Sequence, residues 1–450
     1  MPRHAFPTLH EAAAALAAGR VTAEALVEEA LARIADPVGE GARAFVKVHA
    51  DSARAAAAAQ DRLRRAGRAP SRFAGLPVTV KDLFDEAGEV TRAGSVALHG
   101  ASPAPRSAPV VERLERSGFV ILGRTNMTEF AFSGLGVNPH YGTPKSPWER
   151  GIGHLPGGSS SGAGVAAADG MGFGGLGSDT GGSCRIPAAL CGVVGWKPTA
   201  RRVPLAGALP LSFSLDSIGP LARSVADCAV LDAVISGEGE EAPAALPLAG
   251  VRLGRLRNYV EEGTEPAVAQ AFEAALRQLE AAGARIEDMT IPELDTLPSV
   301  NGTGGFAASE AWTWHETLIA AQRDAYDPRI LKRILRGERM SAADYIRLLA
   351  ARREMIAAAA ARTAGFDAVV CPTVPLRPPM IAAVEAEADY NRINLLLLRN
   401  TSVANFLDRC AISVPCHAPG EAPVGLMLMG EAMGDSRLFA LSRAVEEALG

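Results

Sequence analysis

A chain of 450 residues with 48% hydrophobic and 21% charged residues can bury a sizeable core, which excludes a disordered polypeptide. Its 45 basic and 50 acidic side chains leave a net charge of −5, which excludes the general cationic surface of a nucleic-acid or anionic-membrane binder. No run of about 18 apolar residues suggests a spanning helix, and no metal-site spacing links the eight histidines.

Read in chain order, the first 70 residues are alanine-rich and helical. Residues 9–16 and 23–34 carry apolar side chains at helical spacing behind the candidate caps Thr8 and Thr22, and 51–67 reads as a third helix. The pattern then changes. Residues 76–80 and 119–123 read as strands around a helix at 108–117, a strand–helix–strand unit that favours a sheet covered by helices. Next comes a stretch, 151–195, that holds 15 of the 46 glycines and reads as a turn-rich functional loop. Beyond it, 192–195 continues the core, 224–236 is helical, and 238–247 is a linker or surface excursion. Residues 251–254 form a strand followed by a helix at 267–282, and 298–363 is mainly helical. Strands return at 368–372, 411–415 and 425–428 before a final helix at 436–449.

The glycine-rich stretch contains two serine clusters, Gly157-Gly158-Ser159-Ser160-Ser161-Gly162 and Ser178-Asp179-Thr180-Gly181-Gly182-Ser183. A serine hydroxyl needs a neighbouring base to act as a nucleophile at neutral pH. His154 lies five residues before Ser159, but it reads best as a loop residue shaping the approach. The Gly158-x-Ser160-x-Gly162 spacing does not follow an apolar strand, so it is not a nucleophile elbow. Lys81 is the alternative base. It directly follows the apolar strand read at 77–80, and burial at the end of a strand lowers a lysine's pKa. The six cysteines show no Cys-x-x-Cys spacing, and the residues from Met1 to Pro7 carry no apolar leader. Together these features point to reduced thiols and a cytoplasmic enzyme.

The run from Gly157 to Ala188, with Pro77-Val78-Thr79-Val80-Lys81-Asp82 upstream, resembles the amidase signature family. So do Gly123-Arg124-Thr125-Asn126, Gly195-Trp196-Lys197-Pro198-Thr199, Ser214-Leu215-Asp216-Ser217-Ile218-Gly219-Pro220 and Pro423-Val424-Gly425-Leu426-Met427-Leu428, all in the family's order. The resemblance implies an α/β fold with a central mixed twisted sheet covered by helices on both faces. It implies one domain over 1–450, divided into a helical segment 1–70, a catalytic core 71–230, a variable substrate-side region of about 238–365 and a C-terminal core return 366–450. It further implies a Ser–cis-Ser–Lys triad: Ser183 as nucleophile, Ser159 as the serine after a cis bond, and Lys81 as terminal base. The backbone amides of Thr180, Gly181, Gly182 and Ser183 form the oxyanion hole, with Ser160, Asp179 and Arg185 in support. Cys184 is expected to pack.

The expected activity is hydrolysis of a small carboxamide through an acyl-enzyme, with no metal or cofactor and no nucleic-acid or membrane partner. A homodimer is left open. The alternatives are a hydrolase of urea derivatives, such as carboxybiuret or allophanate, and a protein of the glutamyl-tRNA amidotransferase A type that works within a complex. Arg185-Ile186-Pro187 and Thr199-Ala200-Arg201-Arg202 depart from the amidotransferase pattern. For the substrate pocket, the segments 132–141 and 302–314 are expected to contribute. Trp312, Trp314 and Tyr390 are candidate lining residues, and Arg392 and Arg399 are candidate carboxylate receptors.

Overall fold

A computed structural model describes residues 6–450, so the start of the chain read above as leader-free lies outside the described residues. Eleven strands form one sheet: β1 (Phe45–Val48), β2 (Pro77–Lys81), β3 (Val120–Thr125), β4 (Gly174–Asp179), β5 (Val194–Lys197), β6 (Ser217–Ala222), β7 (Arg252–Leu256), β8 (Arg285–Met289), β9 (Ala368–Pro372), β10 (Ala411–Pro415) and β11 (Gly425–Met429). Their spatial order is β1-β3-β2-β4-β6-β5-β10-β11-β9-β7-β8. Strands β3, β2 and β4 run parallel to one another, as do β9, β7 and β8, while the pairs from β4 through β9 are antiparallel. The expected mixed sheet is therefore present, and the strand–helix–strand unit is β2, the helix Pro109–Arg116 and β3.

Every residue of β2, β4, β5, β6, β9, β10 and β11 is buried, whereas the edge strands β1 and β8 show exposed positions. A strand buried on both faces needs helices on both sides, and the chain supplies them. Their ends are capped locally. The Thr8 hydroxyl accepts from the Glu11 amide in a capping box, and Ser224 caps the helix Val225–Ser236.

The glycine-rich stretch is not a single loop. It contains the helix Ser161–Ala168, the central strand β4 and the helix Arg185–Cys191. Its glycines permit close approach more than motion. A Cβ at Gly177 would lie 2.8 Å from Leu221 Cδ1 and 2.9 Å from Ser160 Oγ, so only a bare backbone lets β4 pass beneath the serines.

Candidate active site

Two neighbouring parallel strands deliver the polar groups to one end of the sheet. Lys81 closes β2, and Ser178 and Asp179 close β4. The turn Thr180-Gly181-Gly182-Ser183 follows at once, and the helix Ser161–Ala168 begins opposite it. The Gly158–Ser159 peptide bond is cis. The main chain on either side of it is held: the Gly158 N–H donates to the Gly134 carbonyl at 2.8 Å, and the Thr128 N–H donates to the Ser159 carbonyl at 3.1 Å.

Lys81 is fully buried, and its Nζ donates to Ser159 Oγ and to Ser178 Oγ, each at 2.8 Å. Burial pulls its pKa from the ordinary lysine value down to about 8, although the carboxylates of Asp179 and Asp216 favour the charged form. An appreciable share of the amine is thus neutral near pH 7–8 and can accept a proton. Ser178 had no role in the reading of the sequence. The signal for it is its place in the second serine cluster, on the strand next to the one carrying Lys81. Ser160 ties the two clusters together, its N–H donating to the Ser183 carbonyl at 3.3 Å and its hydroxyl to the Ser178 carbonyl at 3.4 Å.

Asp179 organises the turn. Its carboxylate accepts from the Gly182 amide (2.9 Å), the Cys184 amide (3.1 Å), Arg185 Nε and Nη2 (3.1 and 2.9 Å) and Asn405 Nδ2 (2.9 Å). Burial opposes its ionisation, yet the paired Arg185 and the other donors hold it down to about 2. Arg185 also donates to the Thr401 carbonyl at 2.8 Å and to Asn405 Oδ1 at 2.6 Å. Burial drives the Cys184 thiol far above its usual pKa, consistent with a packed, unreactive cysteine.

One member of the expected oxyanion hole is corrected. The Gly182 amide is committed to Asp179 Oδ1, while Thr180, Gly181 and Ser183 face a cavity of about 190 Å³. Among the described residues, the amides of these three have no hydrogen-bond partner. Gly182 is required for shape instead. Its φ is +133°, and a Cβ there would sit 2.1 Å from Thr401 Oγ1. The Thr180 hydroxyl is in turn held by Asp216 Oδ1 at 2.5 Å.

The cavity wall is apolar, with Phe132, Leu215, Leu297, Phe306, Leu398 and Phe406 among its residues. The segments 132–141 and 302–314 do contribute, through Phe132 and Ser133 and through Gly304 to Ala307. The aromatic candidates do not. Trp312 and Trp314 pack against the main core, and Tyr390 is buried beneath Arg329, whose Cζ lies 4.6 Å from its ring centroid. Arg392 pairs with Asp389 at the surface, and Arg399 donates to the carbonyls of Val260 and Glu262. The arginine that does line the cavity is Arg333, which the sequence does not single out within the basic run Lys332, Arg333 and Arg336. His154 behaves as expected of a loop residue, with Nδ1 2.7 Å from the Pro378 carbonyl and its ring against Trp148.

The family model described as Amidase matches residues 25–439. Among curated proteins, the chain is 38% identical over 402 residues to 2-amino-5-chloromuconic acid deaminase of Comamonas testosteroni, covering 88% of this chain and 87% of that protein. It is 34% identical over 480 residues to the A subunit of glutamyl-tRNA(Gln) amidotransferase from Anaeromyxobacter sp. (strain K), covering 98% of this chain and 96% of that protein. A solved structure described as an amidase superposes with a TM-score of 0.89 at 33% identity, covering 99% of this chain and 100% of that one. The chain therefore belongs to the Amidase family, the amidase signature enzymes. Its class is that of an amidohydrolase acting on amide C–N bonds.

Proposed function

We propose that the protein hydrolyses a small carboxamide through an acyl-enzyme on Ser183. The observation that carries this reading is the 2.8 Å contact between the buried Lys81 amine and the Ser159 hydroxyl, with Ser183 on the adjoining cavity. Neutral Lys81 takes the proton of Ser159, Ser159 takes that of Ser183, and Ser183 Oγ bonds to the amide carbon. The carbonyl electron pair moves onto oxygen, where the amides of Thr180, Gly181 and Ser183 stabilise it. As the tetrahedral adduct collapses, the C–N bond breaks and the relayed proton returns to nitrogen, releasing ammonia or an amine. Water then attacks the ester by the same relay and frees the carboxylate and Ser183. Ser160, Asp179 and Arg185 keep the turn in place.

Release of ammonia from a panel of primary amides and amidic acids tests the proposal. Ser183→Ala is expected to abolish turnover and labelling by a fluorophosphonate, and substantial residual hydrolysis would overturn the nucleophile assignment. The 34% identity to the A component of an amidotransferase over 98% of the chain favours a second reading, delivery of ammonia to a partner-bound acceptor. Partner-dependent activity and stable co-purification of other proteins of such a complex would support it over free hydrolysis.

A further inference from the structure

The run Ser214-Leu215-Asp216-Ser217-Ile218-Gly219-Pro220 contains a carboxylate that the proposed chemistry does not use. Strand β6 starts at Ser217, which pairs with Asp179 at the end of β4, and the Ser217 hydroxyl donates to the Asp179 carbonyl at 2.9 Å. Asp216 therefore stands beside Thr180, the first residue of the nucleophile turn. Its Oδ1 accepts from the Thr180 hydroxyl at 2.5 Å, and its Oδ2 accepts from the amides of Leu211 and Ser212, each at 3.0 Å. Thr180 makes no other hydrogen bond among the described residues. Asp179 clamps the turn at Gly182 and Cys184, so its start is left to Asp216. Thr180 lines two cavities, the one that Ser183 faces and a second of about 280 Å³ that also takes in Asp216 and Ser178.

None of the three groups bonded to Asp216 is a cation. The charge facing it across the loop is a second carboxylate. Glu310, from the helix Gly305–Gln322, accepts from the Ser214 amide at 3.0 Å, from the hydroxyls of Ser212 and Ser214, and from the Tyr345 hydroxyl of the helix Ala342–Thr363 at 2.6 Å. Burial pushes the Asp216 pKa up to about 6 against the pull of its hydrogen bonds, and the Glu310 charge adds to the rise, so the group is ionised at pH 7–8. Burying a carboxylate without a cation is costly, and a neutral side chain would close the loop without that penalty. What the charge adds is strength at Thr180, since a hydrogen bond to an ionised acceptor is roughly twice as strong as one between neutral groups. A β-branched side chain is stiff about χ1, so fixing the Thr180 hydroxyl also fixes the peptide that carries its N–H. That N–H has no partner and belongs to the wall of the cavity that Ser183 faces. We propose that Asp216 is a positioning residue of the reaction, holding Thr180 so that its N–H points at the oxygen on which the negative charge develops. The same carboxylate, together with Asp179, favours the charged form of Lys81, so its influence extends to the base. This inference rests on the reading of Ser183 as nucleophile, because that reading puts the oxyanion beside Thr180.

The test combines Thr180→Val, Thr180→Ser and Asp216→Asn, assayed on the best amide of the panel above. Thr180→Val removes the hydroxyl but keeps its shape and the Asp216 charge. It is expected to lower kcat by about 30-fold, less than the loss of a whole oxyanion-hole donor, and to leave KM within about twofold. Thr180→Ser is expected to restore most of the rate. Asp216→Asn is expected to lower kcat at least as far. Because it also removes an anion that favours charged Lys81, it is expected to move the acid limb of the rate profile to lower pH by about half a unit or more. The limb of Thr180→Val is expected to stay in place. The trifluoromethyl ketone matching the same amide forms an adduct with Ser183 that carries the oxyanion, and its Ki is expected to rise in Thr180→Val and Asp216→Asn in step with the loss in kcat. A residue that merely closes the loop would lower the thermal midpoint of Asp216→Asn and leave the acid limb and the Ki unmoved, and that result overturns the proposal. So does a Thr180→Val enzyme with the wild-type kcat and Ki, which decides the matter alone if Asp216→Asn fails to fold. Substantial turnover in Ser183→Ala overturns only the nucleophile reading.

Discussion

Arg185 lies behind the nucleophile turn and Arg333 on the wall of the cavity that the turn faces, and the two are treated in opposite ways. Arg185 is enclosed by Asp179, Asn405 and the Thr401 carbonyl. Arg333 has a buried nitrogen with nothing to bond. The same contrast extends to their surroundings. Behind the turn, serines, glycines and an aspartate are cross-linked by hydrogen bonds across β2, β4 and two short helices. The wall is largely apolar side chains, from the helices 305–322 and 387–406 and from Phe132, Leu215 and Leu297. The groups proposed to react are thus held by internal pairing, whereas this cavity-lining cation is not.

Breaking the first half of this comparison should produce the largest effects. Ser183→Ala and Lys81→Met are each expected to lower kcat by about 10⁴-fold or more, as members of a unit that fails together, measured by ammonia release. Gly182→Ala must push against Thr401 Oγ1 from a backbone angle that alanine resists. It is expected to destabilise the fold by about 3 kcal/mol in denaturant titrations, with activity lost alongside. Asp179→Asn strips Arg185 of its counter-charge and is expected to cost about 3 kcal/mol, the penalty for an uncompensated buried cation. Its thermal midpoint should fall, and an unchanged midpoint would show that Arg185 does not depend on this carboxylate.

Titration sharpens the comparison further. Lys81 accepts a proton only when neutral, and burial pulls its pKa down to about 8. The turnover rate is therefore expected to fall about tenfold per unit as pH drops below that value and to level off above it. Between pH 8 and the ordinary lysine range the unfolded chain holds more protons on this group than the folded one, so the contribution of Lys81 to stability improves as pH rises through that window. A rate profile flat from pH 6 to 9 would remove Lys81 as the base. The smallest effect belongs to Trp314→Phe, which is expected to leave kcat/KM within about twofold of the wild type because the indole packs on the core and not on the cavity.

Strands with β-branched apolar runs were legible in the sequence. The readings at 368–372 and 411–415 match β9 and β10 residue for residue. Strands β4 and β6 were not, because Gly-Gly-Leu-Gly-Ser-Asp and Ser-Ile-Gly-Pro-Leu-Ala combine poor β-formers whose pairing comes entirely from their neighbours in the sheet. The groups proposed to react could be singled out because the hydroxyls and the lysine stand in a rare order along the chain. Arg333 was not. Within the run Lys332, Arg333 and Arg336, only tertiary contacts reveal which cation has been left without a partner.

The bonds from Asn405 to Asp179 and Arg185 join residues more than 200 positions apart. During synthesis the N-terminal part of a chain emerges and folds first. The hydroxyls and the lysine are all in place on the nascent polypeptide before residue 200, but the segment that clamps the nucleophile turn arrives only with the helix Glu387–Phe406. Ribosome-bound or prematurely terminated chains therefore carry every group proposed to react and lack the Asn405 brace of the turn.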